Sequence, residues 1–372
     1  MKYMKSASGL TRDAVWIPHS SPTLGPLEEA AAAQCLRGGY VGNGAVAKEL
    51  ETAIRARTGR KHAFAVTSGF QALLLGLRAL DLTPGSKVCL PVLTCASVLA
   101  AVQNSRHTPV LADIELEALT IKVNTVPPDC AAVIAPHAYG APVSGSELQR
   151  LGLPWIEDCA TSPATNVDGR PAGALGTLAV FSFSSTKYVT GGTGGAIACD
   201  DDTLAARVED LLNFDSFEKR GNWKHGWHGA LPGRMADLNA SVAKVQLDRM
   251  PEFTRHRRRI AEIYDTQLRG LHDLRLMELR PENSFYRYII RSEKPSDGLC
   301  RRLHEFGIDA RTSVNPWLDE LPGFLGSVQG GPWPSADTWR RNLLSLPIHP
   351  SMTAEDALLI AESLRRAVEE LS

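Results

Sequence analysis

Short apolar runs alternate with amphipathic segments along the first two thirds of the chain. Apolar runs bounded by turn residues predict buried strands, whereas apolar residues three and four positions apart predict helices with one buried face. The predicted strands are 62–66, 87–91, 110–114, 131–137, 154–158, 178–183 and 196–199, and the helices among them include 45–58, 72–77, 94–102 and 146–151. This alternation predicts an α/β fold with a doubly wound sheet.

The pattern changes after a long aromatic and glycine-rich stretch at 214–233. Two helices are predicted at 235–250 and 253–268, then a strand at 285–291, a helix at 299–306, an extended segment at 343–350 and a closing helix at 354–371. We therefore predict an N-terminal arm at 1–16, a large domain at 17–252 and a small α+β domain at 253–372.

Composition narrows the function classes. The chain has 372 residues, with 40 basic and 41 acidic side chains, so no positive excess favours nucleic acid as a main partner. No apolar stretch is long enough to span a bilayer, and no signal peptide is expected. The seven cysteines form no CxxC pair and are typical of a reduced, cytoplasmic protein. His225 and His228 lack a supporting ligand nearby, so no metal site is expected.

Three polar residues lie at or just past the ends of predicted strands. Ser68, with Gly69 after it, opens a helix and predicts an anion site at the free amides of that helix end. Asp158 ends the strand at 154–158, and Lys187 precedes a glycine-rich run. Ligands of such sheets bind at the carboxyl ends of the strands, so these three side chains are expected to converge. The plainer readings are helix caps for Ser68 and Asp158 and a surface lysine on a hairpin.

Taken together, the order and spacing of several short motifs resemble the DegT-type, or sugar-aminotransferase-like, pyridoxal phosphate enzymes of fold type I, over about residues 17–368. The motifs are Gly42-Asn43-Gly44, Thr67-Ser68-Gly69, Leu90-Pro91 through Thr94-Cys95, Pro136-His137, Glu157-Asp158-Cys159-Ala160, Phe181-Ser182-Phe183 with Lys187, Arg234-Met235 with Asp237, and Leu346-Pro347 with His349-Pro350. The resemblance implies a mostly parallel sheet in a large cofactor-binding domain, a smaller α+β C-terminal domain and a homodimer.

The resemblance also implies roles for individual residues. Lys187 would form the covalent link to the cofactor aldehyde and move protons, and Asp158 would pair with the pyridine nitrogen. The remaining cofactor contacts would come from Ser182, Ser68, Gly69 and the amides of Phe70 and Gln71 at the phosphate, and from Cys95 and Ala160 at the ring. Arg234, His225 and His228 are candidates for contact with the substrate.

Several positions depart from the family pattern. Cys95 stands where an aromatic side chain usually stacks on the cofactor, Thr161 replaces a glutamine or histidine, and Phe70 replaces a threonine. Because of these changes, the amino acceptor could be a keto group of a sugar, a cyclitol or a specialised-metabolite intermediate. The expected amino donor is glutamate- or glutamine-like. One alternative is a pyridoxal phosphate enzyme of another reaction type, such as elimination, dehydration or carbon–carbon bond formation. A non-catalytic binding protein is the third hypothesis.

Overall fold

A mostly parallel sheet forms the centre of the larger half of the chain. The computed structural model describes residues 16–213, 231–313, 316–321 and 329–371. The strands are β1 (His62–Val66), β2 (Lys87–Pro91), β3 (Thr108–Ala112), β4 (Ala132–Pro136), β5 (Trp155–Asp158), β6 (Asn166–Val167), β7 (Arg170–Pro171), β8 (Leu178–Ser182), β9 (Gly195–Cys199), β10 (Leu274–Leu276), β11 (Tyr288–Ser292), β12 (Gln329–Gly330) and β13 (Leu343–Leu346).

The central sheet has the strand order β1-β9-β8-β5-β4-β2-β3-β12. Strand β9 is antiparallel to both of its neighbours, and the other neighbouring pairs are parallel. The helices are α1 (Pro26–Arg37), α2 (Ala45–Thr58), α3 (Gly69–Ala79), α4 (Ala96–Asn104), α5 (Gly145–Arg150), α6 (Asp202–Leu212), α7 (Asp237–Leu268), α8 (Asp297–Glu305), α9 (Pro334–Trp339) and α10 (Ala354–Leu371). The predicted α/β sheet is confirmed.

Helices cover both faces of this sheet. Successive residues of β1 point to opposite faces, so Phe64 and Val66 join one apolar cluster while Ala63 and Ala65 join another. The first cluster takes in residues of α3, α4 and α6, and the second takes in residues of α2, α5 and α7. The strands are therefore buried on both sides, which explains why they are nearly continuous apolar runs in the sequence.

The smaller half is built on the antiparallel sheet β10-β11-β13. Its core joins this sheet to α8, α10 and the second half of α7. Helix α7 runs unbroken through Pro251, so the prediction of two helices at 235–250 and 253–268 was wrong. Met250 and Phe253 are buried on either side of the proline, and we attribute the continuity of the helix to their packing. A domain boundary at residue 252 would pass through this helix, and the division into two domains stays a proposal.

The start of α2 is held by a carboxylate from a distant part of the chain. Gly44, the residue before α2, has no side chain to cap the helix. Asp237, at the start of α7, instead accepts hydrogen bonds from the amides of Gly44 (2.8 Å), Ala47 (2.9 Å) and Val46 (3.3 Å). Asp237 is buried, so these bonds satisfy a charge that water does not reach.

We expect Asp237→Ala to lower the free energy of unfolding by about 2 kcal/mol or more, because it leaves buried amides without an acceptor. Asp248→Ala on the same helix is the matched control, since Asp248 makes an exposed pair with Lys244. That control should cost less than about 0.5 kcal/mol. Urea unfolding of both variants measures the difference, and equal losses would contradict the capping role of Asp237.

Candidate active site

A cavity of about 270 Å³ opens at the carboxyl ends of the central strands. Its walls come from segments that follow β1, β2, β4, β5 and β8, as expected for a doubly wound sheet. It is lined by Ser68, Gly69, Phe70, Leu73, Leu93, Thr94, Cys95, Ser97, Val98, Pro136, Ala138, Tyr139, Asp158, Ala160, Thr161, Ser182, Ser184, Lys187 and Tyr286. The cavity thus brings together all the cofactor-contact residues predicted from the sequence except Gln71.

Lys187 lies on a tight turn after β8. Its amide donates to the carbonyl of Ser184 at 3.0 Å. The glycines that follow let β9 return close to the start of α3: a Cβ at Gly195 would lie 2.5 Å from the carbonyl carbon of Ser68. A side chain at Gly195 would therefore push the Lys187 hairpin away from the Ser68 turn.

The start of α3 is a candidate anion site. The Ser68 hydroxyl caps the helix by accepting from the Gln71 amide at 3.0 Å. That amide is therefore already engaged in the cap, and Gln71 is not among the residues that line the cavity. The amides of Gly69 and Phe70 open the helix, where intrahelical acceptors are lacking. A Cβ at Gly69 would lie 2.7 Å from Cβ of Ser182, so glycine is needed for Ser182 to reach this helix end.

Asp158 is buried at the end of β5. Burial raises the pKa of Asp158 above its ordinary value, although the amide of Ala160 and the positive charge of Lys187 act in the opposite direction. The amide of Ala160 donates to Oδ1 at 2.9 Å. A protonated ring nitrogen in the cavity would give this carboxyl group the cationic partner that its surroundings supply only weakly.

The neighbouring carboxylate, Glu157, is fully satisfied. It accepts from the amides of Gly173 (2.7 Å), Leu175 (2.8 Å) and Gly176 (3.0 Å), and its Oε1 lies 3.1 Å from Nε2 of His137. Burial alone would raise the pKa of Glu157, but the hydrogen bonds from His137 and from the backbone amides outweigh it and lower the pKa to about 2. His137, Glu157 and Cys159 place ligand atoms within 4.8 Å of one another. Each of these side chains already has a hydrogen-bond partner within the protein, which explains the cluster without a metal.

Two tyrosines that sequence reasoning missed also line the cavity. Tyr286 comes from the segment before β11 and Tyr139 from the segment after β4. The prediction placed Tyr286 inside a strand at 285–291, but β11 begins only at Tyr288, and Phe285 has a φ of 52°. A Phe-Tyr pair in an apolar run predicts a strand, and no local signal marks the turn.

The residues predicted to contact substrate are placed differently. Arg234 is absent from the cavity lining, and its Nη2 bonds Glu209 Oε1 and Asn213 Oδ1, both at 2.6 Å. This ion pair gives Arg234 a structural partner, and its contact with substrate stays a prediction. His225 and His228 lie outside the described residues.

The residues present fit pyridoxal phosphate. The Ser68 turn and Ser182 offer hydroxyl and amide groups to a phosphate, Asp158 offers a carboxyl group to a ring nitrogen, and Lys187 offers a primary amine to an aldehyde. Cys95 and Ala160 leave room beside a planar ring because their side chains are small.

Comparisons with known proteins agree with this geometry. A model of the DegT/DnrJ/EryC1/StrS aminotransferase family matches residues 22–365. The aminotransferase TlmJ from Streptoalloteichus hindustanus is 28% identical, with 95% of this chain and 99% of that chain covered and a TM-score of 0.86. DesI, solved in the presence of its TDP-sugar product, is 27% identical, with coverage of 96% and 94% and a TM-score of 0.87.

A third structure is similar in fold and was solved with the cofactor. Spr1654 from Streptococcus pneumoniae in its PLP form is 22% identical, with coverage of 96% and 100% and a TM-score of 0.88. A PMP form of the same protein is equally similar. Within the described part of this chain, none of the helices has the length and apolar character that crossing a membrane requires.

We expect Glu157→Gln to destabilise the protein in a pH-dependent way. The folded-state pKa of Glu157 lies below its ordinary value of 4.5. The ionised side chain therefore contributes to the free energy of unfolding in full above pH 4.5, and this contribution is lost as the pH falls through about 2. The contribution at neutral pH is on the order of 3 kcal/mol.

Denaturant unfolding of the wild type and Glu157→Gln at pH 7 and pH 3 tests this expectation. The difference between the two proteins should shrink at the lower pH. Glu293→Gln, at an exposed pair with Arg275, is the control and should show a small difference at both pH values. A Glu157→Gln penalty that is the same at both pH values would contradict the assignment.

Proposed function

The chain belongs to the DegT/DnrJ/EryC1/StrS aminotransferase family, and we propose on this premise that it moves an amino group from a glutamate- or glutamine-like donor to a keto group of a sugar, cyclitol or specialised-metabolite intermediate. It is a pyridoxal phosphate-dependent aminotransferase. The observation that carries the proposal is the convergence of Lys187, Asp158 and the Ser68–Ser182 anion site on one cavity. The TDP-sugar product in the DesI structure supports a sugar as the acceptor.

The cofactor, when bound, supplies an exchangeable carbonyl carbon and a ring that withdraws negative charge from the substrate carbon. We propose that Lys187 would hold the cofactor aldehyde through its amine. Once a donor amine takes its place there, Lys187 would remove the proton from the donor α carbon and deliver it to the former aldehyde carbon within the same half-reaction, and it would make the reverse transfer when the acceptor is aminated. Asp158 would keep the ring nitrogen protonated, since a buried carboxylate favours a nearby cation. Leu73, Leu93 and Val98 supply apolar walls to the cavity in which these proton transfers would take place.

The alternative reactions lose support. Elimination, dehydration and carbon–carbon bond formation were considered because Cys95, Thr161 and Phe70 depart from the family pattern. The family match spans nearly the whole chain and is to aminotransferases, and all three residues lie in the cavity lining without disturbing Lys187 or Asp158. A non-catalytic binding protein would not need a lysine and a buried carboxyl group in one cavity. We also propose a cytoplasmic location, supported by the seven unpaired cysteines.

Lys187→Ala should abolish the donor half-reaction. In the cofactor-loaded wild type, L-glutamate or L-glutamine should bleach the visible absorbance and release the matching keto acid. The variant should lose roughly 1,000-fold or more in the rate of this change, because the amine that moves the proton is gone. Lys244→Ala, at an exposed lysine of α7, is the control and should react like the wild type. A wild-type band that neither donor changes would contradict the proposed donor.

We propose a homodimer, supported by exposed apolar side chains between residues 24 and 41. Leu24, Leu27, Leu36, Tyr40 and Val41 are 58%, 60%, 58%, 60% and 44% exposed. They belong to α1 and its flanking segments, next to the loop that leads into α2. Large apolar side chains at this density on a surface favour an interface with a protein, and a second copy of the chain satisfies the family expectation.

Leu27→Glu should weaken the dimer about tenfold or more, because it places a charge where an apolar side chain would be buried. Leu358→Glu, at a comparably exposed leucine of α10, should leave the dimer unchanged. Light scattering over a concentration series measures both constants. A monomeric wild type, or equal effects of the two variants, would contradict the proposed interface.

A further inference from the structure

The segment Ser284–Arg287, which we call the brace segment, is held in an unusual backbone conformation beside the active-site cavity. Phe285 has a φ of 52°, and Tyr139, on the neighbouring stretch after β4, has a φ of 53°. Backbone bonds join the two strained stretches: the Ser284 amide donates to Gly140 at 2.9 Å and the Arg287 amide to Tyr139 at 3.1 Å. A Cβ at Gly140 would lie 2.5 Å from the Phe285 nitrogen. Strain of this kind persists only where the surroundings fix it, and it is common at functional sites.

Hydrogen bonds join the brace segment to the chain on both sides of Lys187. The Tyr286 hydroxyl donates to the carbonyl of Thr186 at 3.1 Å. The Tyr188 hydroxyl lies 3.2 Å from the carbonyl of Ser284 and 2.9 Å from Oγ1 of Thr254. The residues before and after Lys187 are therefore tied to the same short segment of the smaller half.

Two buried arginines bond to the brace segment: Arg257 of α7 and the segment's own Arg287. Nη1 of Arg257 and Nη1 of Arg287 both donate to the carbonyl of Tyr286 at 3.2 Å, and Nη2 of Arg287 donates to the Tyr286 hydroxyl at 3.1 Å. Each guanidinium is stacked on one of the tyrosines: Arg257 lies 4.6 Å from the Tyr188 ring centre and Arg287 lies 4.1 Å from that of Tyr286.

Both arginines are unusual because they are buried without an acidic partner. Each is 3% exposed, and neither forms an ion pair in the described part of the chain. Burial lowers the pKa of Arg257 to about 10 and also lowers the pKa of Arg287. Burying two cations in this way is costly. The groups that compensate them are the carbonyl groups of the brace segment, the faces of Tyr188 and Tyr286, and the carbonyl of Ile348, which accepts from Nη1 of Arg257 at 2.6 Å.

We call residues 184–188, which carry Lys187, the lysine turn. Ser185 and Thr186 are exposed, whereas Tyr188 and Val189 are buried. A lysine that must exchange partners and move a proton needs its backbone fixed while its side chain moves, because small displacements of a catalytic group cost large factors in rate.

We propose that the brace segment positions Lys187, with Tyr286 and Tyr188 as positioning residues that hold the lysine turn from either side. The proposal rests on the proposed function only for the task of Lys187. It assigns a role in the aminotransferase reaction to a stretch of the smaller half that sequence reasoning treats as ordinary strand.

Tyr286→Phe and Tyr188→Phe test the proposal, since each removes one hydroxyl and keeps the ring. Tyr288→Phe is the matched control: Tyr288 is fully buried two residues from Tyr286, and its hydroxyl has no hydrogen-bond partner within the described residues. In cofactor-free protein, hydrogen exchange of peptides that cover residues 183–191 should become about fivefold faster in each test variant, the factor for one lost hydrogen bond. Tyr288→Phe should exchange like the wild type.

The holoenzyme gives a second readout. For Tyr286→Phe we expect kcat to fall about tenfold while KM for the amino donor stays within twofold, because the lysine is displaced and the binding groups are not. The pH at the midpoint of the visible-absorbance change in a pH titration should also shift in Tyr286→Phe and stay at the wild-type value in Tyr288→Phe.

Unchanged exchange at 183–191 in both test variants would overturn the proposal. Exchange that rises across the whole protein would overturn it as well, because it would show a general packing role. The exchange experiment needs no substrate, so it separates this proposal from the proposed function. If the wild type does not react with amino donors but the test variants exchange faster at residues 183–191, the proposed donor is refuted and the positioning role of the brace segment is supported.

Discussion

The buried carboxylate of Glu157 is the contact on which the rest of the site depends. Its two oxygens accept three backbone amides from residues 173–176 and face His137 at the end of β4. The carbonyl of His137 in turn accepts from the hydroxyls of Thr161 (3.0 Å) and Ser162 (2.7 Å). The ends of two neighbouring parallel strands and the loops that follow them are thereby fixed to each other. This network also fixes the backbone position of Asp158, which is the next residue along β5.

The pKa values of the two adjacent carboxyl groups are consequently shifted in opposite directions. Glu157 is surrounded by donors, and its pKa falls to about 2 although it is buried. Asp158 is also buried but accepts one amide bond, and burial raises its pKa. The alternation of side chains along a strand explains the difference, since neighbouring residues of β5 point to opposite faces. Glu157 faces the protein, where its bonds are complete, and Asp158 faces the cavity, where a cationic group can complete them.

Much of the central sheet could be predicted from the sequence, because strands buried on both faces are nearly continuous apolar runs. The convergence of the lysine and the aspartate on one cavity could be predicted because each lies at or just past the end of such a strand, and strand ends converge at one edge of a parallel sheet. Pro251 led to the wrong prediction of two helices where α7 is continuous. The tendency of proline to end a helix can be read from the sequence, whereas the burial of Met250 and Phe253, to which we attribute the continuity of the helix, cannot. Tyr286 was missed for a similar reason. Its neighbour Phe285 adopts a positive φ where it lies against Gly140, which is nearly 150 residues earlier in the chain.

The residue at position 95 shows how the cavity compensates for a change in the family pattern. An aromatic side chain usually stands there, and Cys95 supplies instead a small thiol that accepts from the Ser97 hydroxyl at 3.1 Å. Aromatic surface nevertheless reaches the cavity from three other places: Phe70 at the start of α3, Tyr139 after β4 and Tyr286 from the smaller half. The last two come from the strained stretches that pack against each other. Substitution at one wall therefore changes the shape available to a substrate while Lys187, Asp158 and the anion site keep their arrangement, which is why the reaction class is better determined than the acceptor.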